Sequence, residues 1–269
     1  METTGPTQNP KPTNLIQTIE RVALIFDVLA KPTKGMSLGE LAAKVDLPKG
    51  TAHRILSSLM YFDFIRQDPE TRKYSLGFKL VELGSSLLEQ INLRKEAEPF
   101  LHELSEKTNE TAYLAILDRT EVVYIEKIES QDDSVGLRAT SKVGQRNAAN
   151  SCSLGKALLA NLPEQVLDSL IPDMSFIQKT ENTITDPVQL KEHLHGIHVR
   201  GYAIDDEESE RGIRCIAVPV RNEVGVVVAA MSVSGPAIRI TRERVQGKLK
   251  DDVMQTALSL SRKLGYRGN

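Results

Sequence analysis

Between residues 15 and 30, Ile16, Ile19, Val22, Ala23, Phe26 and Leu29 recur at three- and four-residue intervals, the spacing of one face of an α-helix. Lys31-Pro32 ends that element, because the residue before a proline is pushed out of the helical region. A second helix opens at Ser37-Leu38-Gly39-Glu40, a capping box in which hydroxyl and carboxylate satisfy the first free amides. Leu38, Leu41, Ala42 and Val45 mark its buried face. A few residues later a third helix begins, with Pro48 suited to its first turn. Ala52, Ile55, Leu56 and Leu59 form its inner stripe, and Lys49, Gly50, Thr51, His53, Arg54, Ser57 and Ser58 form its outer face. Residues 48–59 contain no Asp or Glu. Two helices joined by a tight turn, the second basic outside, make a helix-turn-helix whose second helix suits the major groove.

After Tyr61 the period changes. Residues 64–66 and 73–76 read as short strands flanking a turn-rich tip, a wing whose Arg66, Arg72 and Lys73 can meet phosphates or the minor groove. From 76 to 93, Leu80, Leu83, Leu87, Leu88 and Ile91 make an apolar stripe on a linker helix. The stripe either packs on the C-terminal half of the chain or pairs with a second copy. Pairing would place two winged domains on a two-fold axis over a pseudo-palindromic operator. Further on, a helix is expected over 99–107, strands over 111–117 and 122–128 about a turn at Asp118-Arg119, strands over 213–220 and 224–233 about 221–223, and a closing helix over 241–264. An antiparallel sheet flanked by helices fits this order, so the class is α+β. The expected organisation is a disordered tail (1–13), a winged domain (14–76), a linker helix (77–95) and a C-terminal domain (96–269).

Composition narrows the function. With 269 residues, 40% of them hydrophobic, the chain can bury a real core. The apolar run at 226–231 is too short to cross a bilayer, and the first thirteen residues lack a signal-peptide pattern, so a cytoplasmic protein is expected. The two cysteines, Cys152 and Cys215, are too few for a disulfide framework. Net charge is −2, yet residues 1–75 carry ten Lys/Arg against eight Asp/Glu. That contrast is mild, so DNA binding rests on the placement of cations on one helix face.

Candidate chemistry lies in the C-terminal half. Ser232 and Ser234 stand two apart on an expected strand, so both hydroxyls face one way and can converge on one ligand group. The stretch before Lys156 opens a helix whose first amides could meet an anion. It is not a phosphate-binding P-loop, since Asn150 and Ala157 stand where glycine and Ser/Thr are required. A carboxylate such as Asp205 beside an anion site is tolerated if it accepts a ligand hydroxyl or is protonated, and a hydroxylated acid meets both conditions. Catalysis is disfavoured: no Gly-x-Ser-x-Gly elbow is present, and a lone buried cysteine usually behaves as a small hydrophobe. His193, His195 and His198 do not share the i, i+4 face that a helical zinc site uses. No metal or cofactor is expected.

The winged domain, Lys142-Val143-Gly144-Gln145-Arg146, Ser153-Leu154-Gly155-Lys156-Ala157-Leu158-Leu159-Ala160, Gly201-Tyr202-Ala203-Ile204-Asp205-Asp206-Glu207-Glu208, Gly212-Ile213-Arg214-Cys215-Ile216-Ala217-Val218-Pro219-Val220 and Ser232-Val233-Ser234-Gly235-Pro236 together resemble the IclR family of bacterial transcription factors. The resemblance implies a winged helix-turn-helix, a linker helix and a GAF- or profilin-like effector domain, working as a dimer or tetramer, often as a repressor of carbon-source catabolism. It implies an effector pocket at Asp205, Cys215, Ser232 and Ser234 together with the loop holding Asn150, Cys152, Leu154 and Gly155. The pattern is also similar to the 2-keto-3-deoxygluconate regulators within the family, which suggests a carboxylate or sugar acid. Two departures stand out. Asn150-Ser151-Cys152 replaces a common His-x-Thr, and His53 stands where an aromatic residue is frequent.

Overall fold

The computed structural model describes residues 14–31, 35–90, 92–130 and 141–268; the expected tail at 1–13 lies outside them. The chain divides into two compact units, Met1–Gln90 and Ile91–Asn269.

In the first unit, α1 (Gln17–Leu29), α2 (Leu38–Lys44) and α3 (Lys49–Tyr61) precede a hairpin of β1 (Ile65–Gln67) and β2 (Tyr74–Leu76), followed by α4 (Lys79–Gln90). The capping box forms as its residues require, with Ser37 N donating to Glu40 Oε2 at 2.7 Å. Pro48 is the N-cap of α3, one position before the first turn. Ile25, Leu29, Leu41, Leu56, Ile65 and Tyr74 form the core, with Val22 and Phe26 packed on it. The buried stripe of α1 is therefore Val22, Ile25, Phe26 and Leu29. Ile16 and Ile19, expected in that stripe, are 67% and 60% exposed, and Ala23 is exposed too. The helix starts only at Gln17, so its first turn projects past the elements that would cover it. The wing is antiparallel, with Ile65 opposite Leu76 and Gln67 opposite Tyr74. On α4, Leu80 is half-buried and Leu83 47% exposed. The side chains of Leu87 and Leu88, and Ile91, lie outside the described residues.

The second unit is a six-stranded antiparallel sheet, order β5-β4-β3-β8-β7-β6. Its strands are β3 (Thr111–Asp118), β4 (Glu121–Ile128), β5 (Arg146–Ala148), β6 (Ala203–Asp206), β7 (Ile213–Arg221) and β8 (Val227–Pro236). Its helices are α5 (Asn92–Thr108), α6 (Ser153–Leu159), α7 (Glu164–Leu170), α8 (Pro187–Arg200), α9 (Arg242–Gln246) and α10 (Lys248–Lys263). Alternation along the strands sends Leu114, Ile216, Val218, Met231 and Val233 to one face, against Leu101 and Leu104 of α5 and Leu249 and Val253 of α10. The opposite face presents Tyr113, Tyr124, Ala217 and Ala230 to α6 and α8. The result is an α+β domain with helices on both faces of its sheet.

Four expectations need correction here. The helix expected from Pro99 begins at Asn92, with Pro99 inside it; a proline reads as a helix start, which hid the preceding turns. Leu93, assigned to the linker, is partly buried against the core of the second unit. The strand expected from Val224 begins at Val227, because Asn222 Oδ1 accepts the amides of Val224 (3.2 Å) and Val226 (3.0 Å) and Gly225 takes φ +81°, a left-handed turn that suits glycine. The closing helix breaks at Gly247 into α9 and α10.

Candidate nucleic-acid interface and effector cavity

Helix α3 presents Lys49, Gly50, His53 and Arg54 to solvent, with Thr51 and Ser57 half-buried beside them. Burial of Ala52, Leu56 and Leu59 on the other side fixes this orientation. Among the described residues no carboxylate lies within ion-pair distance of Lys49 or Arg54, so both charges stay available to a polyanion. On the wing, Arg66 Nε donates to Ser75 Oγ at 3.2 Å and its guanidinium lies 5.0 Å from the Phe78 ring centroid, which ties Arg66 to the hairpin base. Arg72 is exposed at the tip with φ +57°, and Lys73 is half-buried.

In the second unit a cavity of about 230 Å³ opens on the sheet face that carries Tyr113 and Tyr124. Strand register explains how distant residues meet there. Asp205 on β6 is opposite Cys215 on β7, and Cys215 is opposite Ser234 on β8. One step along, Ser232 lies between Ala217 and Tyr113. Cys215 Sγ and Ser234 Oγ are 2.9 Å apart. Asp205, Cys152, Leu154, Cys215, Ser232 and Ser234 thus all line one cavity.

Asn150 and Gly155 stand outside that lining. Asn150 is buried, its Nδ2 donating to the Ile184 carbonyl at 3.4 Å. Gly155 packs so closely on the preceding turn that a Cβ there would meet the Ala149 carbonyl oxygen at 2.2 Å. Only a hydrogen fits, and this close approach is what lets α6 start where it does.

Asp205 is fully buried and already bonded. Oδ1 accepts the amides of Glu208 (2.7 Å) and Ser209 (3.3 Å), and Oδ2 accepts the Ser209 hydroxyl. The carboxylate therefore shapes its own turn, and most of its acceptor capacity is spent before any ligand hydroxyl arrives. Burial pushes its carboxyl above the ordinary range, against the pull of Lys156 and of the Ser209 hydroxyl. Behind it, Lys156 is completely buried and pairs with Glu208; burial raises the Glu208 carboxyl too, with Lys156 opposing. Both cavity cysteines are thiols at neutral pH, since burial pushes Cys152 up to about 12 and Cys215 well above its usual value. Burial likewise raises the Tyr113 and Tyr124 phenols, which stay neutral hydroxyls.

The sequence pattern did not single out several residues of the cavity: Tyr113, Tyr124, Asn147, Lys179 and Ser209. Strand alternation around Thr111 could have placed Tyr113. Lys179 sits in a coil far from every motif and carried no signal. His193, His195 and His198 lie on α8 and do not converge, His198 Nδ1 being 2.9 Å from the Ala160 carbonyl oxygen. No group of three or more potential metal ligands gathers among the described residues, and no helix among them is long and apolar enough to cross a membrane.

Residues 18–69 match the IclR helix-turn-helix domain, and residues 85–262 match the family described as bacterial transcriptional regulator IclR C-terminal. The chain belongs to the IclR family. It is 36% identical over 252 residues to the HTH-type transcriptional regulator XynR of Escherichia coli K12, covering 94% of this chain and 98% of XynR. It is also 36% identical over 251 residues to KdgR of the same organism, covering 92% and 94%. The crystal structure of Thermotoga maritima IclR superposes with a TM-score of 0.77 at 34% identity, covering 93% of this chain and 99% of that one. This IclR-family chain is a DNA-binding transcriptional regulator, and the relatives named are regulators and not enzymes. Its winged unit carries the helix-turn-helix, and its second unit is the IclR effector domain.

Proposed function

We propose that this regulator represses genes of carbon-source catabolism and that a hydroxylated carboxylic acid, of the sugar-acid class, occupies the cavity and alters its hold on the operator. One observation carries this reading. Hydroxyls of Ser232, Ser234, Ser209, Tyr113 and Tyr124 surround a single cavity of about 230 Å³, and neutral groups that both donate and accept suit a polyhydroxylated ligand. An aromatic ring offers these hydroxyls no further hydrogen-bond partner.

In this reading Lys49, Gly50, Thr51, His53, Arg54 and Ser57 address the major groove, while Arg66, Arg72 and Lys73 of the wing address the backbone. Residues 14–76 bind DNA, the linker expected over 77–95 joins two copies through its α4 part, and the second unit binds the effector. A dimer, or a pair of dimers, then reads a pseudo-palindrome. Exposed Val81 and Leu83 on α4 support self-association.

The test combines footprinting on DNA upstream of the protein's own gene with thermal shift against 2-keto-3-deoxygluconate, D-gluconate, short keto acids and aromatic acids. Protection of an inverted repeat, changed by a sugar acid that also raises Tm, is expected. Stabilisation by aromatic acids alone would overturn the ligand class.

A further inference from the structure

Three cations stand in or behind the cavity wall, and two are already committed. Arg146 at the rim pairs with Asp118 and with Glu121. Lys156, behind Asp205, pairs with Glu208. The third, Lys179, donates instead to the neutral Oδ1 of Asn147 at 2.5 Å, and among the described residues no carboxylate lies within ion-pair distance of it. Asn147 and Lys179 both line the cavity, together with Tyr124 and Cys152. An ammonium bonded to an amide oxygen gains by exchanging it for a carboxylate, since the full opposite charge adds Coulomb attraction that a neutral amide lacks.

The backbone around Lys179 is fastened to the turn that holds Asp205. Lys179 N donates to Thr183 Oγ1 (3.1 Å), which donates in turn to the Glu208 carbonyl (2.7 Å), and Thr180 Oγ1 donates to the Glu207 carbonyl (2.7 Å). Glu208 N is the donor to Asp205. One hydrogen-bonded frame thus spaces a cation at the rim from hydroxyls deeper in. The remaining charges at the cavity, Glu210 at the rim and Asp205 inside, are acidic and offer a ligand carboxylate no attraction.

We propose that Lys179 is the carboxylate anchor of the effector, displacing its bond to Asn147, with the hydroxyl end of the ligand directed to Ser232 and Ser234. This rests on the sugar-acid reading above and names the residue that decides between an acid and its uncharged analogue.

The probes are D-gluconate, 2-keto-3-deoxygluconate and D-glucitol, the last differing from D-gluconate only by CH2OH in place of the carboxylate. Calorimetric titration of the full-length protein compares wild type with Lys179→Met and Lys179→Arg. Lys179 is exposed, so both variants keep the wild-type Tm without ligand, which shows that any loss is not unfolding. Lys179→Met weakens acid binding about tenfold or more and leaves D-glucitol unchanged, while Lys179→Arg retains most of the affinity. Wild-type affinity for the acids in Lys179→Met overturns the anchor and leaves the sugar-acid reading standing. Failure of the wild type to bind either acid overturns that reading and the anchor with it.

Discussion

The two units treat charge in opposite ways. On α3 the cations are exposed and uncommitted, and nearby carboxylates are occupied locally: Asp68 accepts from Thr71 and Glu70, and Glu40 accepts from Ser37. In the effector unit several cations are drawn inward and matched, Lys179 at the cavity being the exception. Lys156 meets Glu208, Arg214 meets Asp206 (2.6 Å) and Glu207 (3.2 Å), and Arg239 and Arg244 both meet Glu110 (2.7 Å each). An exposed lysine keeps its hydration and remains free to meet phosphate. A buried one holds only while its partner is present, because an unpaired charge in the interior is very costly. The same residue types thus make a docking surface in one unit and a rigid frame in the other, and a whole-chain charge of −2 reveals neither.

The sharpest way to break this contrast is to remove the buried cation. Lys156→Met leaves Glu208 and Asp205 in the interior without compensation, and a loss of about 3–5 kcal/mol is expected, measured as a shift of the urea midpoint of the effector unit. Lys156→Met combined with Glu208→Leu recovers most of it. The pH dependence follows from the two carboxyls, both held above their ordinary range by burial. A carboxyl whose folded pKa is raised stabilises below its unfolded pKa and loses that contribution as pH rises through the folded value. Without Lys156 both are raised further, so the deficit of the variant is smaller at pH 5 than at pH 8. Equal deficits at both pH values, with no rescue in the double variant, would show that Lys156 is not part of the frame.

The sequence revealed these two regimes unevenly. The winged unit was legible nearly throughout, because its signals are local: a capping box, 3.6-residue stripes, a Pro-marked helix start and an alternating hairpin each lie within a dozen residues. Its one misplaced stripe, at Ile16 and Ile19, concerns how far the covering elements extend, which periodicity does not encode. In the effector unit, strand alternation placed Ser232 and Ser234 on one face, and the family resemblance brought Asp205 and Cys215 to them. The charged frame stayed hidden. Lys156 and Glu208 are 52 residues apart in sequence, and no spacing rule joins them. Lys179 was missed for a related reason: its position follows from threonine bonds to a turn 27 residues away, made only after the sheet has formed. The breaks at Val227 and Gly247 were lost because the apolar pattern continues through both.

Of intermediate size is the effect of removing an exposed cation from α3. Arg54→Ala leaves the fold intact, since the Arg54 side chain is exposed, and weakens operator binding roughly tenfold. If Arg54 meets phosphate, the magnitude of the log affinity against log salt slope falls by about one and every sequence is weakened alike; if it meets a base, the slope holds and discrimination at one position relaxes. Fluorescence anisotropy on operator and scrambled duplexes at several salt concentrations separates the two. Unchanged binding in both would remove α3 from the interface and end the contrast between free and committed cations.

The smallest expected effect tests how far the buried charge of Lys156 reaches. His193 on α8 is half-buried, its Nε2 has no hydrogen-bond partner among the described residues, and its pKa is lowered to about 4 by burial first and then by Lys156 and Arg200. It is therefore neutral in the folded protein at neutral pH. A base whose pKa is depressed on folding contributes stability that is complete above its unfolded value, about 6.5, and is lost as pH falls toward the folded value. His193→Leu takes up no proton on unfolding, so its stability declines less steeply than that of the wild type between pH 6.5 and pH 4. This limb runs opposite to that of the carboxyl pair, which separates the two contributions in one titration. Solvent screening at a half-buried site keeps the change modest. Because part of the depression comes from Lys156, the effect of His193→Leu should shrink in a Lys156→Met background, a coupling that a double-mutant cycle reads directly. Additive effects would assign the depression to burial and Arg200 and confine the reach of Lys156 to Glu208 and Asp205.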